Sequence, residues 1–136
     1  MKPWPLGVML FLICVLIGSS SFAQRPDFAG TIPKYDISKE ANFQGVIVEL
    51  KDRICPMSGD MLFHLILKTG KQTYEVHVAP VTFVKMYEAT FQKGDAIEII
   101  GVKTQFQGAD AILPREIKHG GYTLLFRDEK GKPIWR

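Results

Sequence analysis

The order in which strand-like and helix-like segments follow one another constrains the fold of this chain most strongly. Three segments of alternating apolar and polar residues precede one stretch with helical spacing, and two more follow it. The predicted strands are residues 43–51, 61–68, 73–79, 96–103 and 109–117. The helical stretch opens at Pro80, ends at Gly94-Asp95 and has one apolar side, formed by Val81, Val84, Tyr87 and Phe91. This order predicts a mainly β protein, a five-stranded OB-fold barrel with one helix between strands three and four.

Further details of the fold follow from the same pattern. Residues 122–127 and 133–135 are expected to form a C-terminal hairpin that turns at residues 128–131. Gly45 and Gly101 interrupt predicted strands where a small barrel must bend sharply. The predicted core consists of Val46, Val48, Leu50, Phe63, Leu65, Leu67, Val76, Val78, Ile97 and Ile99, with Val84 and Tyr87 of the helix packed on it. The alternative architecture is an open antiparallel sheet with one covering helix.

The first 23 residues have the features of a secretory signal peptide. Lys2 gives a positive start, residues 6–17 form an apolar run, and Ser21-Phe22-Ala23 offers small residues where a signal peptidase reads. The run is short for a permanent membrane helix, so we expect cleavage after Ala23, no remaining transmembrane segment, and export to the periplasm or beyond the cell. Residues 24–41 would then be an extended N-terminal arm, and residues 42–136 the OB-fold domain.

Composition limits the classes of partner. Cleavage would remove 23 of the 136 residues and Lys2 with them, which lowers the formal net charge from +3 to +2. That charge is too small to imply a polyanionic partner. Cys14 would leave with the leader, so Cys55 would be the single thiol of the exported domain. Such a thiol is buried, paired with another molecule, or a ligand.

Several short pieces of the chain resemble a known group of proteins. They are residues 43–46, 64–69, 74–80, 93–95, 125–128 and 131–135, which read FQGV, HLILKT, YEVHVAP, KGD, LFRD and GKPIW. Together they resemble small exported bacterial OB-fold proteins, similar to the domain of the magnetosome proteins S and X. The resemblance implies an OB-fold module and no established reaction, because a shared fold does not fix a function.

The pairing register of predicted strands two and three follows from how their apolar and polar residues divide between the two faces of the hairpin. Pairing Lys68 with Thr73 places His64 opposite His77. In this register the apolar residues gather on one face of the hairpin and the polar residues, including both histidines, on the other. A slip by one residue would mix the two sets.

The paired histidines suggest a metal site. Opposed side chains on neighbouring strands have Cβ atoms about 5 Å apart, so two imidazoles could share one ion. The loop before strand two adds two sulfur donors, Cys55 and Met57, and the whole set would suit copper or zinc. The competing interpretation is that the histidines are ordinary neighbours on a partly exposed face, with Cys55 a small buried hydrophobe. His119, beside Gly120-Gly121, is a weaker candidate.

Two other classes of function have less support. A nucleic-acid interface could use Lys51, Arg53, Lys68, Lys71, Lys103 and Phe106, but Phe63 and Tyr74 are predicted to point inward, and export removes the usual targets. A nuclease could use Asp52, Arg53, Asp60, Asp110, Arg115 and Glu116, but no spacing ties them into one site. The sequence therefore favours an exported, noncatalytic OB-fold module that binds an envelope protein, a small ligand or an ion. The alternative is a periplasmic copper- or zinc-binding protein that uses His64 and His77.

Overall fold

The computed structural model describes residues 34–54, 60–88, 90–106 and 108–135. The predicted signal peptide, residues 24–33 of the predicted arm, and the candidate ligands Cys55 and Met57 lie outside these ranges. The strands are β1 (Glu40–Ile54), β2 (Met61–Thr69), β3 (Gln72–Pro80), β4 (Ala96–Phe106), β5 (Ala109–His119) and β6 (Tyr122–Leu125); a 3-10 turn spans Ile37–Lys39, and helix α1 spans Val81–Met86. Five of the strands match the predicted segments, with most of them longer at one or both ends.

The strands form a closed ring. The sheet order is β3-β2-β1-β4-β5-β6, and an additional parallel pairing joins β3 to β5 through Glu75 with Ala111 and Val76 with Ile112. This pairing closes five strands into an OB-type ring, and α1 lies between β3 and β4 in the chain. The OB-fold prediction is therefore confirmed, and the open-sheet alternative is wrong.

The predicted inward face of β1 is wrong over part of its length. Val46 and Val48 are 41% and 39% exposed, whereas Ile47 between them is 1% exposed. The pairing of β1 with β2 shifts register between Ile47 and Glu49, which marks a β-bulge. The extra residue inverts the alternation of inward and outward side chains along β1. Leu50 therefore packs against the core as predicted, whereas Val46 and Val48, which were predicted to lie on the same face, do not.

Most of the remaining core prediction is confirmed. The buried residues include Leu65, Leu67, Val76, Val78, Val84, Ile97 and Ile99, and Phe63 and Tyr87 pack against them. The prediction missed the contributions of β5 and the C-terminal segment, which are Ile112, Ile117, Leu124 and Phe126. These residues reach the core because β5 closes the ring.

Gly45 and Gly101 lie where strands approach each other closely. A Cβ atom at Gly45 would lie 2.3 Å from the carbonyl oxygen of Lys68, and one at Gly101 would lie 2.4 Å from that of Leu113. Both distances are far below van der Waals contact, so only glycine fits without movement of the backbone. The sequence predicted sharp bends of the barrel at these two glycines, and the structure shows close approaches of two strands there.

Helix α1 is shorter than predicted. It ends at Met86, and Glu88 adopts a left-handed φ of 52°, which turns the chain out of the helix. The β-branched residues of this short helix, such as Val81 and Thr82, have low helix propensity, which is consistent with its early end. Phe91 still reaches the core, but from the following loop rather than from the helix.

The predicted C-terminal hairpin is reduced to a single bridge, between Arg127 and Pro133. Its first strand pairs instead with β5, because Gly120, at φ 60°, and Gly121 turn the chain back so that His119 opposes Tyr122. The turn at residues 128–131 is present, and the Asp128 carboxylate accepts hydrogen bonds from the backbone N–H groups of Lys130 and Lys132.

Candidate metal centre

The hairpin of β2 and β3 pairs in the predicted register. Lys68 opposes Thr73, Ile66 opposes Glu75, and His64 opposes His77. The turn consists of Gly70 and Lys71, with Gly70 at φ 60°, which glycine adopts readily. The predicted strands, 61–68 and 73–79, left four residues between them. The two histidines therefore share one face of the hairpin, opposite the face that packs into the core.

The two imidazole rings are in direct contact. Their centroids are 4.1 Å apart with an interplanar angle of 28°, and the ring of Phe106 packs edge-on against His77 at 4.9 Å. His64 is 4% exposed and His77 is partly buried. The sequence predicted a partly exposed face for this pair. The actual burial arises because the ends of β1 and β4 border the hairpin here and leave a cavity of about 300 Å³ in front of the rings.

Glu75 completes the cluster. Its Oε1 atom lies 2.9 Å from His64 Nδ1 and forms an ion pair with Arg53 Nε, also at 2.9 Å. His64, Glu75 and His77 each offer a ligand atom, and these atoms lie within 4.8 Å of one another. Within the described ranges no other group of three or more histidine, cysteine and carboxylate donors is this close.

One atom of the cluster lacks a hydrogen-bond partner. His64 Nε2 is buried, and no group in the described part of the chain bonds to it. A buried polar atom without a partner costs about 1–3 kcal/mol, so such an atom calls for an explanation, and a bound ion is one.

Burial keeps both histidines neutral. Burial, and to a lesser extent the charge of a protonated His64, lowers the pKa of His77 from 6.5 to about 4. Burial also lowers the pKa of His64, and this outweighs the opposing effect of the hydrogen bond and charge of Glu75. The pKa of Glu75 would be raised by burial, but the hydrogen bond with His64 and the Arg53 charge leave it below its usual value. At pH 7 the cluster thus contains two neutral imidazoles and one carboxylate.

The low pKa of His77 predicts a pH dependence of stability. In the unfolded chain this histidine takes up a proton near pH 6.5, but in the folded protein only near pH 4. The unfolded state binds more protons in this window, so the free energy of unfolding of metal-free protein should fall as pH is lowered, by up to about 1 kcal/mol per pH unit. Urea unfolding with a chelator at pH 6.5, 5.8 and 5.0 measures this slope. The slope should be shallower in His77→Gln, and equal slopes in the two proteins would contradict the assignment.

The other sequence-predicted ligands do not join the cluster within the described ranges. Cys55 and Met57 lie outside those ranges, so their positions remain a prediction. His119 lies elsewhere, with its Nε2 atom 2.8 Å from Asp95 Oδ2 and its ring 5.0 Å from that of Phe91. Sequence reasoning missed Glu75 as a member of the site. The signal was present, because Glu75 precedes His77 by two residues and therefore shares its face of β3.

The residues considered for nucleic-acid binding form no open stacking platform among the described residues. Tyr74 is buried and Phe63 packs on the core, as predicted, and Phe106 covers His77. Three of the candidate cations lie beside carboxylates: Lys51 near Glu49, Arg53 near Glu75 and Lys103 near Asp110. Lys68 and Lys71 are exposed.

Of the six residues considered for catalysis, all within the described ranges, only Arg53 and Asp110 border the cavity. Asp110 borders the cavity and pairs with Lys103, whereas Arg115 forms ion pairs with Glu40 and Glu116. Asp52 lies at the end of β1, and Asp60 precedes β2; both are exposed. Arg53 and Asp110 therefore border the same cavity as Glu75, whereas the other four described residues do not.

The closed ring with one helix between its third and fourth strands defines a small OB-fold protein, with a histidine pair on its β2–β3 face. Residues 39–124 match the sequence model of the MamS/MamX magnetosome protein family. The chain belongs to this family. No curated protein matches it. Within the described residues no helix is long and apolar enough to cross a membrane.

Solved structures with a similar fold are distant in sequence. Mitochondrial single-stranded DNA binding protein Rim1 from S. cerevisiae is 8% identical with a TM-score of 0.47, covering 65% of this chain and 97% of its own. The N-terminal domain of PriB from Thermoanaerobacter tencongensis is 13% identical with a TM-score of 0.48, covering 62% of this chain and 99% of its own. The second OB-fold domain of replication protein A from Methanococcus maripaludis is 17% identical with a TM-score of 0.45, covering 62% and 87%.

Proposed function

We propose that this protein is a noncatalytic OB-fold module of the bacterial envelope that binds one copper or zinc ion through His64 and His77. The observation that carries the proposal is the buried Nε2 atom of His64, which lacks a partner in the described residues and belongs to a ring that stacks on the ring of His77. Because an imidazole nitrogen binds a metal in the plane of its ring, the His77 ring would turn out of this stack to bind the same ion. A metal ion at this position would satisfy the lone pair. A merely structural histidine would be expected to find a donor among the neighbouring protein groups instead.

The chemistry of the donors selects the class of ion. Neutral imidazoles suit zinc, copper, nickel and iron, whereas calcium and magnesium prefer sets of oxygen ligands. Among divalent ions, copper binds such nitrogen sites most tightly, and zinc is common in tetrahedral sites with nitrogen and sulfur ligands. Cys55 and Met57 are proposed as further donors on the sequence argument alone.

Titration calorimetry tests the proposed site. Tag-free protein should bind zinc or copper with a Kd well below about 1 mM. His64→Ala and His77→Ala should each weaken binding by at least about 10-fold, because each removes a donor nitrogen, and His119→Ala should leave it unchanged. A thermal melt of each variant checks folding. Binding that is absent in the wild type, or equally strong in all three variants, would exclude the site. Cys55→Ser tests the thiolate in the same assay.

Export is the second part of the proposal and rests on the leader sequence. Cleavage after Ala23 would place the protein in the periplasm or outside the cell, where an envelope protein, a small ligand or an ion could be the partner. Mass spectrometry of exported protein should find Gln24 as the first residue. An intact leader that begins at Met1 would overturn this part and leave the metal site untouched.

A further inference from the structure

We propose that Glu75 is a positioning residue that holds His64 with its Nε2 atom toward the metal ion, rather than a ligand of the ion. This inference rests on the proposed function. Of the three clustered residues, only His64 and His77 would then be ligands of the ion, and the Glu75 carboxylate would orient His64.

The first support is the direction of the hydrogen bond between the two side chains. A glutamate side chain has an ordinary pKa of about 4.3, so it is a carboxylate at neutral pH, and a carboxylate can only accept hydrogen bonds. A neutral imidazole carries its proton on one nitrogen, so the contact of 2.9 Å between Oε1 and Nδ1 places the proton on Nδ1. The lone pair of His64 then lies on Nε2, which is the atom without a partner in the described residues.

The second support is the geometry of the ring. The two nitrogens of an imidazole direct their bonds outward from opposite edges of the ring. A carboxylate that accepts a hydrogen bond from Nδ1 therefore lies on the other side of the ring from an ion bound to Nε2. Arg53 strengthens this arrangement, because its Nε forms an ion pair with the same oxygen at 2.9 Å and holds the carboxylate in place. A histidine ligand whose second nitrogen donates to a carboxylate is oriented, and made more basic, by that carboxylate.

The consequence concerns the coordination of the ion. With Glu75 engaged by His64 and Arg53, the described residues supply only two ligands. The remaining positions would face the cavity of about 300 Å³ bordered by Phe106 and Asp110.

Nitrogen NMR of the imidazole rings tests the inference in the protein with and without zinc. In metal-free protein at pH 7, His64 should carry its proton on Nδ1, and this result does not depend on metal binding. Addition of zinc should shift the Nε2 resonance of His64 and leave the Nδ1 proton in place. Zinc bound to Nδ1, or a metal-free His64 with its proton on Nε2, would overturn the role of Glu75.

Variants of Glu75 provide the second readout. In Glu75→Gln the side-chain oxygen can still accept from Nδ1, so the tautomer should persist while zinc affinity falls about 10-fold. Glu75→Ala removes the acceptor, so the tautomer should be lost and affinity should fall by about 100-fold. The control is Glu98→Ala, which removes a carboxylate that pairs with Lys118 on another part of the barrel and should change affinity less than about 2-fold.

An unchanged tautomer and affinity in Glu75→Ala would contradict the proposal. If the wild type bound no zinc, the proposed function would fail, and the tautomer in metal-free protein would still decide the role of Glu75.

Discussion

Truncation of Leu65 to alanine is expected to lower the free energy of unfolding by about 2–5 kcal/mol. Leu65 is 0% exposed and lies on β2 within the main core cluster, so its removal leaves a cavity that its neighbours on β1 and β3 can fill only in part. Total stabilities of small domains are about 5–15 kcal/mol, so this single change should remove a large fraction.

Urea denaturation of purified protein measures this effect. Leu125→Ala is the matched control, because Leu125 is 45% exposed on β6 and its truncation should cost no more than about 0.5 kcal/mol. A loss below about 0.5 kcal/mol for Leu65→Ala would show that this side chain is not buried and that the register of the β2–β3 hairpin is incorrect. The position of His64 opposite His77 depends on that same register.

Substitution of Gly101 by alanine is expected to destabilise the barrel by about 1–3 kcal/mol or more, because overpacking forces the backbone to move. The added Cβ atom would lie 2.4 Å from the carbonyl oxygen of Leu113 and 3.0 Å from the Cα atom of Pro114. Both are backbone atoms of β5, so relief of the clash requires the two strands to separate at the register shift after Ile100.

Gly121→Ala controls for the general effect of replacing a glycine. A Cβ atom at Gly121 would meet nothing within 4 Å, so this variant should stay within about 0.5 kcal/mol of the wild type. Thermal melts of both variants, followed by circular dichroism, provide the comparison. Equal midpoints would contradict the close approach of β4 and β5 at Gly101.

The fold could be predicted from the sequence where local patterns decide it. The order of strands and helix follows from apolar spacing, and the register of the β2–β3 hairpin follows from the requirement that its apolar residues share one face. Gly45 and Gly101 were informative because a glycine within a strand often marks a sharp bend or a close approach of two backbones. The bulge in β1 has no such local signal, so the positions of Val46 and Val48 were assigned to the wrong face.

The site was harder to predict because its decisive features depend on distant parts of the chain. The parallel pairing of β3 with β5 involves residues far apart in sequence, and it brings Ala111 and Phe106 to the cavity. That enclosure buries His64, which the hairpin alone would leave partly exposed. Arg53 comes from the end of β1, so the pair that it forms with Glu75 could not be read from β3.

Anomalous X-ray diffraction at the zinc absorption edge, from crystals grown with zinc, tests the metal site most directly. The expected result is one strong peak bonded to His64 Nε2 and to a ring nitrogen of His77, each at about 2.0–2.1 Å. The Glu75 carboxylate should remain hydrogen bonded to His64 Nδ1. The absence of a peak between the two imidazoles, or peaks only at other positions such as His119, would contradict the account.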